Sequence, residues 1–199
     1  MQISYLHIKN FKSIQELTLQ DMENAVILVG KNSVGKSTVL TAVAAALGAC
    51  PVTSYDFNQK GQNIEISISL SITQRDLDLF YKNKRVSSYK HYSSWYRDFC
   101  AKLPSYENQI LTFTFTANRN GRNRYHDGIH KHNRYITEIL PSVYFLDSRR
   151  NLETIQNHLL AFLEDDLLNQ MRTDCCLFDR AKKCTHCFSC IGLINKKTP

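Results

Sequence analysis

The chain has no apolar run long enough to cross a membrane. Its longest, Val39–Leu47, is far shorter than the ~20 residues a span requires, so a transmembrane role is excluded and no membrane partner is expected. The N-terminal residues Met1–Asn10 lack the charged-then-apolar pattern of a secretory leader, which makes a cytoplasmic location the expectation. There is no internal repeat and no low-complexity linker. Nor does one sign of charge dominate. Lys and Arg number 25 against 18 Asp and Glu, a net +7, which permits contact with nucleic acid without requiring it. What remains is an ordinary globular composition of 199 residues, 43% hydrophobic and 22% charged. Ile, Leu, Phe and Tyr are too plentiful for a disordered chain. The length fits one domain, with room for an appendage.

Several segments have a readable period. Ile3–Ile8 and Glu16–Leu19 read as two short strands, close enough to pair antiparallel. Ala25–Val29 is a continuous apolar run, expected to be a strand buried on both faces. Gly30 ends it. Ser37–Leu47 reads as a helix stopped by Gly48. In Asn63–Thr73 the residues Ile64, Ile66, Ile68, Leu70 and Ile72 alternate with Glu65, Ser67, Ser69 and Ser71, predicting a strand with one wet face. Gln74–Leu103 reads as helical in parts. Ile110–Thr116 alternates again, and Asn118–Arg134 reads as a long loop or hairpin tip. Ser142–Leu146 is a further apolar strand, and Leu152–Met171 has a helical period.

The strongest signal is Gly30-Lys31-Asn32-Ser33-Val34-Gly35-Lys36-Ser37, which fills every fixed position of the phosphate-loop pattern G-x-x-x-x-G-K-[ST]. A chance match in a chain of this length is about one in a hundred, and the loop falls where such a loop must, between a strand and a helix. Gly30 and Gly35 permit a close backbone approach. The N–H groups from Lys31 to Ser37 can form a concave nest for anions. The helix directs its positive end at the phosphates, Lys36 supplies an ammonium, and the Ser37 hydroxyl suits Mg²⁺. ATP and Mg²⁺ are the expected ligands.

The first quarter of the chain resembles a particular group of P-loop proteins. Leu6-His7-Ile8-Lys9-Asn10-Phe11-Lys12-Ser13-Ile14, a second short strand, and then Val29-Gly30-Lys31-Asn32-Ser33-Val34-Gly35-Lys36-Ser37-Thr38-Val39-Leu40 resemble the RecF/SMC/OLD group of ABC-type ATPases. The heads of that group open with an antiparallel strand pair before a G-x-N-x-x-G-K-S loop. The resemblance implies an α/β P-loop fold, with a mixed sheet that has an antiparallel portion. It implies ATP bound between two heads joined head to head, and work on DNA: recombination repair, chromosome organisation or phage defence. It adds Thr38, Lys12 and Ser13 to the nucleotide-site candidates. Such a head also needs a signature loop resembling L-S-G-G-Q, and this chain has none. It needs four apolar residues followed by Asp-Glu, and the nearest segment is Val143-Tyr144-Phe145-Leu146-Asp147-Ser148. Asp147 is thus a candidate Mg²⁺ ligand, the alternative being a strand-end Asp that caps the next turn. The coiled coil often found mid-family is also missing. The expectation is the first lobe of a head, residues 1–171, whose missing half or homodimer partner supplies the rest, followed by a cysteine-rich tail, residues 172–199.

Five of the seven cysteines fall within Cys175–Cys190. Cys184, Cys187 and Cys190 are spaced in Cys-x-x-Cys steps and, with Cys175, could hold tetrahedral Zn²⁺. An iron–sulfur cluster and unmetallated thiols are the alternatives. Cys50 and Cys100 read as small core residues. Arg119, Arg122, Arg124, His126, His130, Lys131, His132 and Arg134 crowd a stretch whose single acid is Asp127. That stretch could track a phosphate backbone or simply face water. Lys82–Arg97 interleaves basic residues with Tyr81, Tyr89, Tyr92, Trp95 and Tyr96, for stacking on bases or, more simply, for packing on a sheet. Two other functions compete with the ATPase head. One is a nucleic-acid-binding module with a metal-stabilised tail. The other is a small P-loop kinase or GTPase, although Asn83-Lys84-Arg85-Val86 lacks the Asp that reads guanine.

Overall fold

The computed structural model describes residues 1–22, 26–31, 35–59 and 61–143. At its centre lies β3 (Ile64–Ser71), the segment with the cleanest alternation in the sequence. It pairs antiparallel with β1 (Gln2–Phe11) on one side and with β5 (Ile110–Ala117) on the other. Outside β1 lies β2 (Ile14–Leu19). Outside β5 lie β4 (Tyr106–Glu107) and β6 (Asn123–His126), paired to different stretches of the same edge. Every pairing among the described strands is antiparallel, so the antiparallel portion of the expected sheet is the portion described. The class is α/β, as expected.

Alternation decides which face is buried. Leu6 and Ile8 of β1, Ile64, Ile66, Ile68 and Leu70 of β3, and Leu111, Phe113 and Phe115 of β5 form one inward face. One core cluster joins them to Val39, Ala42, Ala45 and Ala46 of α1 (Lys36–Ala46) and to Leu77 and Phe80 of α2 (Gln74–Lys82). Trp95 and Phe99 of α3 (Tyr92–Lys102) and Ile136 and Ile139 of α4 (Tyr135–Ile139) complete it. Small residues on α1 let that helix lie close to the sheet. The opposite face of β3 is less wet than its serines predict. Ser67 and Thr114 share a hydrogen bond of 2.7 Å, Ser69 and Thr112 one of 2.8 Å, and Ser69 is buried. Cross-strand hydroxyl pairs of this kind stabilise a sheet modestly.

Three expectations are revised. The second strand starts at Ile14 rather than Glu16, because Phe11 pairs with Ile14 across the two-residue turn Lys12-Ser13. Residues 26–29 belong to no strand, and only Leu28 packs, half-buried, against the core, while Ile27 is 85% and Val29 89% exposed. A strand buried on both faces needs neighbours at its edges, and no strand among the described residues pairs with this one. Cys50 and Cys100 are half-buried free thiols rather than full core residues. Trp95, by contrast, is fully buried, with Tyr81 and Tyr92 against it at 5.7 and 5.5 Å, so Trp95 packs in the core and offers no face to a base, whereas Tyr89 and Tyr96 are exposed. Of the strand expected at Ser142–Leu146, residues 142–143 are described and are not in a strand. The segment Leu152–Met171 and the boundary at 171 lie outside the described residues.

Candidate functional site

The site starts at Gly35, which precedes α1 with φ 97°, a conformation that glycine adopts without strain. A Cβ there would also crowd the Ser13 hydroxyl, at 3.2 Å. No side chain caps the start of α1, and its first turn carries no acid. Its unpaired N–H groups and positive dipole end are therefore left for an anion. Lys36, the first helical residue, folds back so that its ammonium donates to the carbonyl oxygens of Gly30 and Lys31, both at 2.6 Å. The cation thus closes the loop across its mouth. Ser37 is exposed one residue further on, and its backbone oxygen accepts from the Thr41 hydroxyl at 2.8 Å. An exposed hydroxyl in the first turn, beside an ammonium, fits a Mg²⁺ ion that draws its other ligands from water and phosphate.

The β1–β2 turn comes to the same place. The Ser13 hydroxyl lies 3.5 Å from that of Thr38, at the helix start. Lys12 occupies a left-handed conformation with φ 50°, held on three sides. Its N–H donates to the Asp56 carbonyl oxygen at 2.6 Å, its own carbonyl accepts from the Asn58 amide at 2.5 Å, and its ammonium pairs with Asp56 at 3.4 Å. Burial acts to raise the Asp56 carboxyl, but hydrogen bonds from the Thr53 N–H and hydroxyl, with the Lys12 charge, outweigh it and hold the group below the usual carboxylate range. Lys12 is therefore occupied by Asp56, while Ser13 is the member of the pair that touches the helix start.

Gly30, Lys31, Gly35, Lys36, Ser37, Thr38, Lys12 and Ser13 are thus placed around one helix terminus. Asn32, Ser33 and Val34 lie outside the described residues, as do Asp147 and the cysteines Cys175, Cys184, Cys187 and Cys190. Among the described residues no cluster of His, Cys, Asp and Glu could hold a metal ion, and no helix is long and apolar enough to cross a membrane. Sequence patterns alone miss two supporting residues. Asp56 anchors Lys12. Asn10 is buried and straps β1 to the chain before β3, accepting from the Gln59 N–H at 2.6 Å and donating to the Gln62 carbonyl at 2.9 Å. The signal for Asn10 is its place inside Asn10-Phe11-Lys12-Ser13; for Asp56 there is none.

Residues 1–84 match the family model of the AAA ATPase domain. That stretch holds the hairpin, the loop and the helix just described. Among curated proteins, an uncharacterised protein of Methanocaldococcus jannaschii is 29% identical over 152 residues, 70% of this chain. The chain spans 65% of that relative's length. Among solved structures, one from a study of ATP-driven dimerisation and DNA-stimulated activation of SMC ATPases is similar with a TM-score of 0.41 at 17% identity, over 63% of this chain and 68% of that one. An SMC head bound to the C-terminal winged-helix domain of ScpA is similar with a TM-score of 0.47 at 18% identity, over 70% of this chain and 40% of that one.

Proposed function

We propose that the chain binds Mg-ATP at Gly30–Thr38 and serves as the phosphate-clamping lobe of an ATPase head that works on DNA, in repair, recombination or phage defence. The observation that carries this reading is the uncapped start of α1, with the Lys36 ammonium across the loop and Ser13 beside Thr38. The backbone N–H groups and Lys36 would neutralise the phosphates, and the Ser37 hydroxyl would hold Mg²⁺. In ATP hydrolysis water attacks the γ-phosphate, and catalysis comes mainly from positioning and charge neutralisation. No signature loop accompanies the clamp in the sequence, and Asp147 is the residue that would join Ser37 on the metal. The head-to-head partner would be a second head, and a C-terminal half would supply the loop that these 199 residues lack. Zn²⁺ at Cys175, Cys184, Cys187 and Cys190 would stabilise the tail, and metal analysis of the purified chain tests that directly.

The test of the clamp is equilibrium binding of a fluorescent ATP analogue with Mg²⁺, read alongside phosphate release, on the chain and on Lys36→Ala. Binding that falls at least tenfold in the variant, without phosphate release, is the expected result. Lys36-dependent release would assign hydrolysis to this chain, with Asp147 the first residue to replace. A folded chain that binds no nucleotide overturns the reading.

A further inference from the structure

The basic stretch Arg119–Arg134 plays no part in the nucleotide site. Its geometry is that of a built surface rather than a loose tip. Along β6, Arg124 lies opposite Thr116 and His126 opposite Thr114, while Tyr125 between them turns into the core against Phe113 and Phe115. Arg124 and His126 therefore stand on the outward face of the sheet, the face covered by the Ser67–Thr114 and Ser69–Thr112 hydroxyl pairs. The chain then curls over them. Thr116, Arg124, His126, His130 and Lys131 line a cleft of about 360 Å³.

The one acid in this stretch does not face the cleft as a free charge. The Asp127 carboxylate is buried and accepts four hydrogen bonds: from the Ile129 N–H at 3.0 Å, the His130 N–H at 2.7 Å, His130 Nδ1 at 3.0 Å and the Asn133 amide at 2.8 Å. Asn133 in turn donates to the Lys102 carbonyl at 2.7 Å, tying the loop to the end of α3. A buried acid thus fixes the shape of a loop whose outer surface is basic. Among the described residues none of Arg122, Arg124 and Lys131 is in an ion pair.

We propose that this face grips the phosphate backbone of DNA, with Arg122, Arg124 and Lys131 as the contacting cations and the Asp127-pinned loop holding Lys131 in place. The inference rests on DNA as the partner of the head and deepens that reading by locating the contact. Three features select a polyanion over other occupants. The cleft has the cations Arg124 and Lys131, two histidines, the Thr116 hydroxyl and the exposed Ile129, but no acid. The sheet face beside it is polar, which does not suit an apolar protein partner. The cations also extend from the turn before β6 to the loop after it, about 13 Å along four residues of strand, which is longer than a single phosphate. Because the loop is already shaped, little ordering cost is left for binding.

Binding of a fluorescein-labelled 30-base-pair duplex to the full chain, measured by anisotropy from 50 to 300 mM salt without nucleotide, tests this. Wild-type binding should weaken linearly on a log–log plot against salt. The triple variant Arg122→Ala/Arg124→Ala/Lys131→Ala should lose at least tenfold in affinity at 100 mM salt, and its slope should fall by about 2 to 3, roughly 0.9 for each phosphate no longer neutralised. Arg122→Lys/Arg124→Lys/Lys131→Arg keeps the charges and should keep the slope. Emission from Trp95, the only tryptophan, and circular dichroism establish that each variant is folded. The proposal is overturned if the folded triple variant keeps its affinity and slope, or if the wild type fails to bind the duplex at 50 mM salt. Binding of the ATP analogue to the same triple variant should be unchanged. Loss of ATP binding in Lys36→Ala with DNA binding intact, and the reverse pattern in the triple variant, keep the two readings separable.

Discussion

A carboxylate that does no chemistry is the most heavily engaged side chain at the basic cleft. Burial pushes the Asp127 carboxyl up, but hydrogen bonds from the side chains of Asn133 and His130 and from the N–H groups of His130 and Ile129 outweigh it and hold the group well below the usual range. Its protonation is therefore disfavoured in the folded chain, and the stability it contributes is whole above an unfolded Asp pKa of about 3.9. That contribution fades as pH falls from there toward the depressed folded value. Asp127→Asn keeps the shape but turns an acceptor into a donor facing other donors. Urea unfolding at pH 7 should show a loss of about 2 kcal/mol, and the gap to wild type should narrow between about pH 4.5 and pH 3. A gap that stays constant over that interval would mean the charge is not what holds the loop.

Strand β3 and the segment at 26–29 show two outcomes for stretches that carry Ile and Leu side chains. Ile68 is fully buried between Leu6 and Phe113 on its neighbours. Ile68→Ala should cost about 3 kcal/mol, the usual loss for a cavity in a tight core, whereas Ser67→Ala, which removes one hydroxyl pair, should cost about 1 kcal/mol or less; urea midpoints of the two variants check the contrast. At the other segment, Ile27→Ser/Val29→Ser removes side chains that are 85% and 89% exposed. Its stability to urea should move by no more than about 0.5 kcal/mol, while binding of an apolar dye to the native chain falls. A large destabilisation would mean that these residues are covered by others.

Over the whole molecule, the ATPase-head reading makes a claim about assembly. In such a head each ATP is closed over by the signature loop of the partner, and no L-S-G-G-Q-like segment occurs in the 199 residues. With Mg-ATP the chain should accordingly keep the sedimentation of a 23.0 kDa monomer, although it binds nucleotide. Doubling of the mass with ATP, absent in Lys36→Ala, would place an equivalent of that loop within this chain. The +7 net charge acts at the same scale. It favours encounter with a polyanion at low salt and is screened over about 10 Å at 0.1 M.

What could be read without a structure is what lies close together along the chain. The phosphate loop occupies eight consecutive residues, so its glycines, lysine and serine announce themselves in order. The period-two pattern of Ile64–Ile72 identifies both the strand and its buried face, because a strand's side chains alternate by geometry alone. The contacts that complete the site span greater distances. Ser13 reaches Thr38 across 25 residues, and Asp56 holds Lys12 across 44. Each depends on how β1 registers against its neighbours, which no local pattern specifies. The exposure of Ile27 and Val29 has the same origin, since apolar composition favours burial but only a neighbouring element provides it. Charge in Arg119–Arg134 was legible as composition. Only the folded chain turned its single acid inward and its cations out, because Asp127 found four donors brought together by the loop's own path.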